Sequence, residues 1–114
     1  MTRSRLALGA AGEELAAAWY RDHGYDVVTR NSRVTEGELD IVARRGDTLV
    51  ICEVKARRTD AYGTPAAAVT PDKQARIRRL AAIYLRTEGV RAGALRFDVA
   101  AVLAGELTMI EQAF

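Results

Sequence analysis

Gly37-Glu38-Leu39-Asp40-Ile41-Val42-Ala43-Arg44-Arg45-Gly46-Asp47-Thr48-Leu49-Val50-Ile51-Cys52-Glu53-Val54-Lys55 is the stretch on which the fold turns. It reads as two β runs on either side of Gly46-Asp47, a dipeptide suited to a two-residue hairpin turn. With that turn Arg45 pairs with Thr48, and counting outward sets Asp40 opposite Glu53 and Glu38 opposite Lys55. Strand side chains alternate with a period of two, so all four are expected on one face. Leu49 and Ile51 share that face, which a fully solvated hairpin surface would not favour.

Carboxylates directly across an antiparallel pair stand with Cβ atoms ~5 Å apart and repel each other unless a cation sits between them. Mg²⁺, or Mn²⁺ in its place, takes oxygen ligands in near-octahedral geometry and keeps several waters. Asp40 and Glu53 with a backbone carbonyl suffice as the protein's share, and Glu38 is a further candidate ligand. Lys55, two residues beyond Glu53, is placed to steer or polarise a water and to offset phosphate charge. The competing reading is a plain hairpin surface carrying a Glu38–Lys55 ion pair worth ~0–1 kcal/mol.

Outward from the hairpin, helical spacing of Leu15, Ala16 and Trp19 predicts a helix from about residue 5 to residue 23, stopped by Gly24. The basic start Thr2-Arg3-Ser4-Arg5 is expected to fray. A strand over residues 25–33, with Val27 and Val28, makes a meander with the hairpin. Past Lys55 the composition turns polar, and the Gly- and Pro-bearing residues 57–65 predict a loop beside the carboxylates. Thr70-Pro71 supplies an N-cap and first-turn proline for a second helix to about Glu88, with Ile77, Leu80, Ala81 and Tyr84 as its apolar stripe and Gly89 beyond its end. Strands over residues 95–103 and 107–112 follow, joined by Ala104-Gly105-Glu106. The order α-β-β-β-α-β-β predicts one α/β domain over residues 1–114, a mixed sheet flanked by helices.

With 49% hydrophobic and 28% charged residues, the 114-residue chain has the balance of a folded globular domain rather than a disordered one. No apolar run approaches the ~20 residues of a spanning helix, and the N-terminus lacks a secretory pattern, so a cytoplasmic, non-membrane protein is expected. The single cysteine, Cys52, falls on the strand face opposite Glu53 and reads as a small buried hydrophobe. The only histidine, His23, reads as a helix cap beside Gly24, and its isolation argues against a histidine zinc site or a serine triad. Net charge is +2, but Lys73, Arg76, Arg78, Arg79 and Arg86 gather on the second helix. Such a face suits phosphate contacts; a solvated helix surface accounts for it equally.

Two polar residues border the apolar stripes. Glu13 shares a helix face with Ala16, Ala17 and Tyr20, where an unpaired carboxylate is costly. It is either a further partner of the metal or of Lys55, or a first-turn acid favoured by the helix dipole. Gln74 aligns with Ile77 and Ala81, where its amide either reaches a water or phosphate at the site or is satisfied by backbone.

The succession Gly12-Glu13, Gly24-Tyr25, Asn31-Ser32-Arg33, Gly37-Glu38-Leu39-Asp40-Ile41, Glu53-Val54-Lys55-Ala56-Arg57, Tyr62-Gly63, Val69-Thr70, Lys73-Gln74, Phe97-Asp98-Val99 and Ala113-Phe114 resembles the YraN-type family of small bacterial proteins. That family looks like a branch of the restriction endonuclease-like, PD-(D/E)XK superfamily and is similar in size and order to archaeal-type Holliday junction resolvases. The resemblance implies a nuclease signature in Asp40, Glu53 and Lys55, a first-helix acid in Glu13 and a helix glutamine in Gln74. The superfamily's proline before the aspartate is Leu39 here, and Cys52 stands where aliphatic residues are usual; neither change removes a ligand.

The expected function is therefore Mg²⁺- or Mn²⁺-dependent hydrolysis of DNA phosphodiesters. Arg57, Arg58, Lys73, Arg76 and Arg79 would hold the backbone by charge, and recognition would follow DNA structure, with branched or junction DNA the analogy. DNA is expected ahead of RNA, and symmetrical cutting of a junction would favour a homodimer. The alternative is a nucleic-acid-binding module that keeps the fold without catalysis.

Overall fold

The computed structural model describes residues 3–61 and 63–114, with side chains from residue 7 onward. Thr2 of the expected basic tail and Tyr62 of the polar loop lie outside the described residues. Helix α1 (Arg3–Asp22) leads into strands β1 (Asp26–Val34), β2 (Gly37–Arg45) and β3 (Thr48–Arg57). A single 3₁₀ turn (Ala66–Ala68), not anticipated from the sequence, precedes helix α2 (Pro71–Glu88), and strands β4 (Ala94–Leu103) and β5 (Glu106–Ile110) complete the order. The five strands form one sheet in the order β1-β2-β3-β4-β5, antiparallel except for the parallel β3–β4 pair that α2 bridges. This is the mixed sheet flanked by helices that the sequence predicts, in the restriction endonuclease-like arrangement.

Local chemistry explains the boundaries. Gly46 takes φ +59° at the first central position of the β2–β3 turn, where a II′ hairpin calls for glycine. The resulting register, Arg45↔Thr48 through Ile41↔Cys52, is the one counted from the turn. Thr70 caps α2 by accepting the Lys73 N–H at 3.4 Å, Pro71 fills its first turn, and Gly89 ends it at φ +62°. His23 bonds the Trp19 carbonyl through Nδ1 at 2.7 Å at the end of α1, as a cap does.

Each face of the sheet is covered by one helix. On one side Ala16, Ala17 and Tyr20 of α1 pack on Ile41, Ala43, Val50, Cys52 and Ala100. On the other, Ile77, Leu80, Ala81 and Tyr84 of α2 pack on Leu39, Val42, Leu49, Ile51, Phe97 and Val99. Double coverage is why the central strands are apolar almost throughout. It also accounts for Leu49 and Ile51 on the Glu53 side: that face lies under α2.

One buried acid ties the layers together. Asp98, with 0% exposure, accepts the Tyr20 hydroxyl at 2.7 Å, both arms of the Arg96 guanidinium at 2.9 Å and the Gln112 N–H at 2.9 Å. Helix α1, β4 and the turn after β5 thus meet on one carboxylate whose charge is fully paired. Burial beside it pushes the Tyr20 hydroxyl well above its ordinary pKa, keeping it a donor.

Candidate metal centre

Strands β2 and β3 part company halfway along. Their ladder stops at Ile41↔Cys52, while β2 stays paired with β1 to Val34↔Gly37 and β3 stays paired with β4 to Arg57↔Leu103. The result is a fork in the sheet with Asp40 at its apex. Separation leaves backbone groups without ladder partners, and the Asp40 carboxylate takes one of them: Oδ2 accepts the Val54 N–H at 2.8 Å.

The fork corrects the expectation of four side chains on one face. Leu39 and Val42 both pack under α2, whereas Ile41 and Ala43 pack under α1, so the alternation of β2 breaks at Asp40. Glu38 and Lys55 do not pair across the strands. Glu38 lies 3.6 Å from Arg33 on β1, and Lys55 Nζ lies 3.4 Å from Glu53 Oε1.

Asp40 and Glu53 do meet, the two carboxyl groups lying within hydrogen-bonding reach. Burial in the fork and, next, the Glu53 charge raise Asp40 to about pKa 7, against the opposing pull of the Val54 N–H and the Lys55 ammonium. A carboxyl pushed up by burial and by a like charge beside it is one whose charged form a hard cation would favour. Among the described residues no group of three or more His, Cys, Asp or Glu is arranged to hold a metal. The donor set is a carboxylate pair, which suits an ion that keeps several waters.

The fork opens on a cleft of about 910 Å³ lined by the start of α1, β1–β3 and the polar loop. Glu13, Asn31, Glu38, Asp40, Lys55, Arg57 and Arg58 face it together. Glu13, only 9% exposed, is neither the partner of Lys55 nor a loose first-turn acid: its Oε1 accepts Arg30 Nε at 2.9 Å and Asn31 Nδ2 at 3.0 Å. Gln74 is not brought to the cleft. Its amide donates to the Val69 carbonyl at 3.1 Å and lines a small pocket on the α2 side with Val99 and Phe114, the backbone-satisfied alternative.

Helix α2 and its cations lie on the opposite layer from the α1 residues of the cleft. Lys73 and Arg79 are exposed there. Arg76 reaches the Glu36 carbonyl at 3.4 Å, and Arg78 lies over the Phe97 ring, 4.7 Å from its centroid. Cys52 is buried, as expected.

Sequence reasoning gave no role to Asn31 or Asp98. For Asp98 a signal was present, a lone acid inside the apolar run of residues 97–102. For Asn31 the signal is weaker: asparagine tolerates left-handed backbone, but nothing in residues 26–34 marks where that conformation falls.

The sequence matches Uncharacterised protein family UPF0102 over residues 12–102, a span that contains Glu13, Asn31, Glu38, Asp40, Glu53, Lys55 and Gln74. It is 51% identical over 96 residues to a UPF0102 protein of Leifsonia xyli subsp. xyli, covering 84% of this chain and 81% of the relative. A UPF0102 protein of Rhodococcus jostii is 51% identical over 100 residues (88% and 85% covered), and one of Syntrophus aciditrophicus is 48% identical over 97 residues (85% and 76% covered). No helix among the described residues is long and apolar enough to cross a membrane.

Proposed function

The chain belongs to the UPF0102 family, and from that premise and the fork between β2 and β3 we propose that it is a divalent-metal-dependent endonuclease acting on DNA. The observation that carries the reading is the half-buried Asp40–Glu53 carboxylate pair, with Lys55 3.4 Å from Glu53, where Asp40 and Lys55 line a cleft together with Arg57 and Arg58. Asp40 and Glu53 would hold Mg²⁺ or Mn²⁺, with Glu38, which lines the same cleft, in an accessory role. The bound ion supplies Lewis-acid charge at the phosphodiester.

The chain's own residues supply the rest. Lys55, anchored by Glu53, places its ammonium where charge develops as water attacks phosphorus and the bond to the leaving oxygen breaks. Arg57 and Arg58 hold the flanking phosphates, a contact that fixes register without reading sequence. Glu13, itself held by Arg30 and Asn31, sets one wall of the cleft. Recognition therefore follows DNA shape, with branched or junction DNA the first substrates to try, and two protomers acting together would cut such a junction symmetrically.

One observation favours a second reading. The metal share offered by the described residues is a pair of carboxylates rather than a cluster, and that pair can hold a proton instead. A nucleic-acid-binding module without catalysis would leave it so, and would bind in a salt-sensitive way without metal. Incubation of wild type and Lys55→Ala with fork, four-way junction, duplex and single-stranded DNA, each with Mn²⁺ or EDTA, separates the two. The nuclease gives Mn²⁺-dependent products that the variant loses, with binding kept. The module gives no products from either protein and equal binding by both.

A further inference from the structure

Three non-glycine residues among those described have positive φ: Asn31 at 52°, Ala104 at 51° and Gln112 at 51°. Ala104 lies in the turn between β4 and β5, and Gln112 lies past the end of β5, positions where left-handed backbone is ordinary. Asn31 alone lies within a strand. A left-handed residue there is strained and persists only where its surroundings over-determine it.

Its surroundings are the fork. The pairs Arg30↔Ile41 and Ser32↔Leu39 bracket Asn31 and Asp40, which face each other and are missing from the ladder. On the other side of β2, pairing with β3 ends one residue earlier, at Ile41↔Cys52. Asp40 is thus released from both neighbouring strands at the residue opposite Asn31. It is also the residue across which β2 changes its alternation, from Leu39 under α2 to Ile41 under α1. The Asn31 amide donates to Glu13 Oε1 at 3.0 Å on α1, the oxygen that also takes Arg30.

We propose that Asn31 is the positioning residue of the metal centre. Its left-handed backbone breaks the pleat opposite Asp40 and lets that carboxylate turn into the fork, onto the Val54 N–H and beside Glu53. Asparagine serves because it accepts this conformation more readily than other residues and carries an amide that bonds Glu13. The functional part rests on the nuclease reading above; the geometric part does not.

The test compares Asn31→Gly, Asn31→Ala and Asn31→Val. Glycine permits the left-handed backbone and removes the amide, alanine resists that conformation, and a β-branched side chain resists it most. Two quantities are read: hydrogen-exchange protection of the Val54 amide, and Mn²⁺ affinity by titration calorimetry. Asn31→Gly is expected to keep Val54 protected and Mn²⁺ binding within about threefold of wild type. Asn31→Val is expected to expose Val54 while amides of β3 and β4 near the turn end stay protected, and to weaken Mn²⁺ binding by about tenfold to a hundredfold, the range for residues that orient ligands. Asn31→Ala should fall between and stands in should the valine variant fail to fold. Wild-type behaviour of the alanine and valine variants overturns the proposal, as does a glycine variant damaged as badly as valine. A wild type that takes up no Mn²⁺, with Val54 still distinguishing glycine from valine, would uphold the positioning of Asp40 and sink the metal reading instead.

Discussion

Asp40 carries a stability signature of its own. Its carboxyl, raised from the ordinary 3.8 to about 7 by burial and by Glu53, binds a proton in the native state over a pH range where the unfolded chain has lost it. Stability of the metal-free protein therefore falls as pH rises from about 4 through about 7, because the native state holds the extra proton. Urea unfolding in EDTA should give a lower midpoint at pH 8 than at pH 5, and Asp40→Asn should flatten that slope and raise the midpoint at pH 8. A slope unchanged by Asp40→Asn would mean that another group governs it. Asp98 is a buried carboxylate hydrogen-bonded by Tyr20, Arg96 and the Gln112 N–H. Asp98→Ala strands Arg96 and frees α1 from β4, and should cost about 3–5 kcal/mol in the same experiment. A loss below about 1 kcal/mol would show that the network does not hold the layers together.

Between elements, α1 approaches β3 closely at Gly12. A Cβ on Gly12 would lie 3.1 Å from the Ala56 Cβ and 3.5 Å from methyls of Val54 and Val102. The Ala56 atom is fixed to the backbone and cannot swing away. Gly12→Val should lose about 1–3 kcal/mol by overpacking, and Ala56→Gly in the same chain should restore part of it. Independent, additive losses in the double variant would contradict that contact. Helix ends and the hairpin register were legible from the sequence because they are local: Gly46, Thr70, Pro71 and Gly89 each state their own geometry. The fork was not, since a period of two carries a strand forward only until something breaks the pleat. Counting outward from the turn held to Ile41↔Cys52 and failed beyond it, where Glu38 turned to Arg33 rather than Lys55. Gln74 failed for a related reason. Its place on α2 was right, but the bond of its amide to the Val69 carbonyl, in a pocket with Val99 and Phe114 apart from the cleft, is a tertiary fact.

At the scale of the whole molecule, the two helices give the protein two different surfaces. The cleft, walled by the start of α1, gathers Glu13, Glu38 and Asp40 with Lys55, Arg57 and Arg58, while Lys73 and Arg79 are exposed on α2, which covers the other layer. Phosphate contacts from the cleft should appear in the salt dependence of DNA binding. Arg57→Ala with Arg58→Ala should reduce the slope of log K against log salt by about 1 per cation removed. Charge reversal at Lys73 and Arg79 should leave binding of a short duplex close to wild type. A larger loss from α2 than from the cleft would move the nucleic-acid surface to the far layer. Composition and charge pointed to phosphate without telling these faces apart, because charge read along a chain does not record which side of a sheet it reaches.

The measurement that bears most directly on the central claim is Mn²⁺ titration calorimetry of the wild type and of the Asp40→Asn/Glu53→Gln double variant, with and without a non-hydrolysable DNA junction. The double substitution removes the like-charge pair, so the fold is expected to survive it. Saturable Mn²⁺ uptake by the wild type, lost in the variant, is the predicted result. A wild type that takes up no Mn²⁺ even with DNA present, or a variant that binds it as tightly, would contradict a metal centre at the fork.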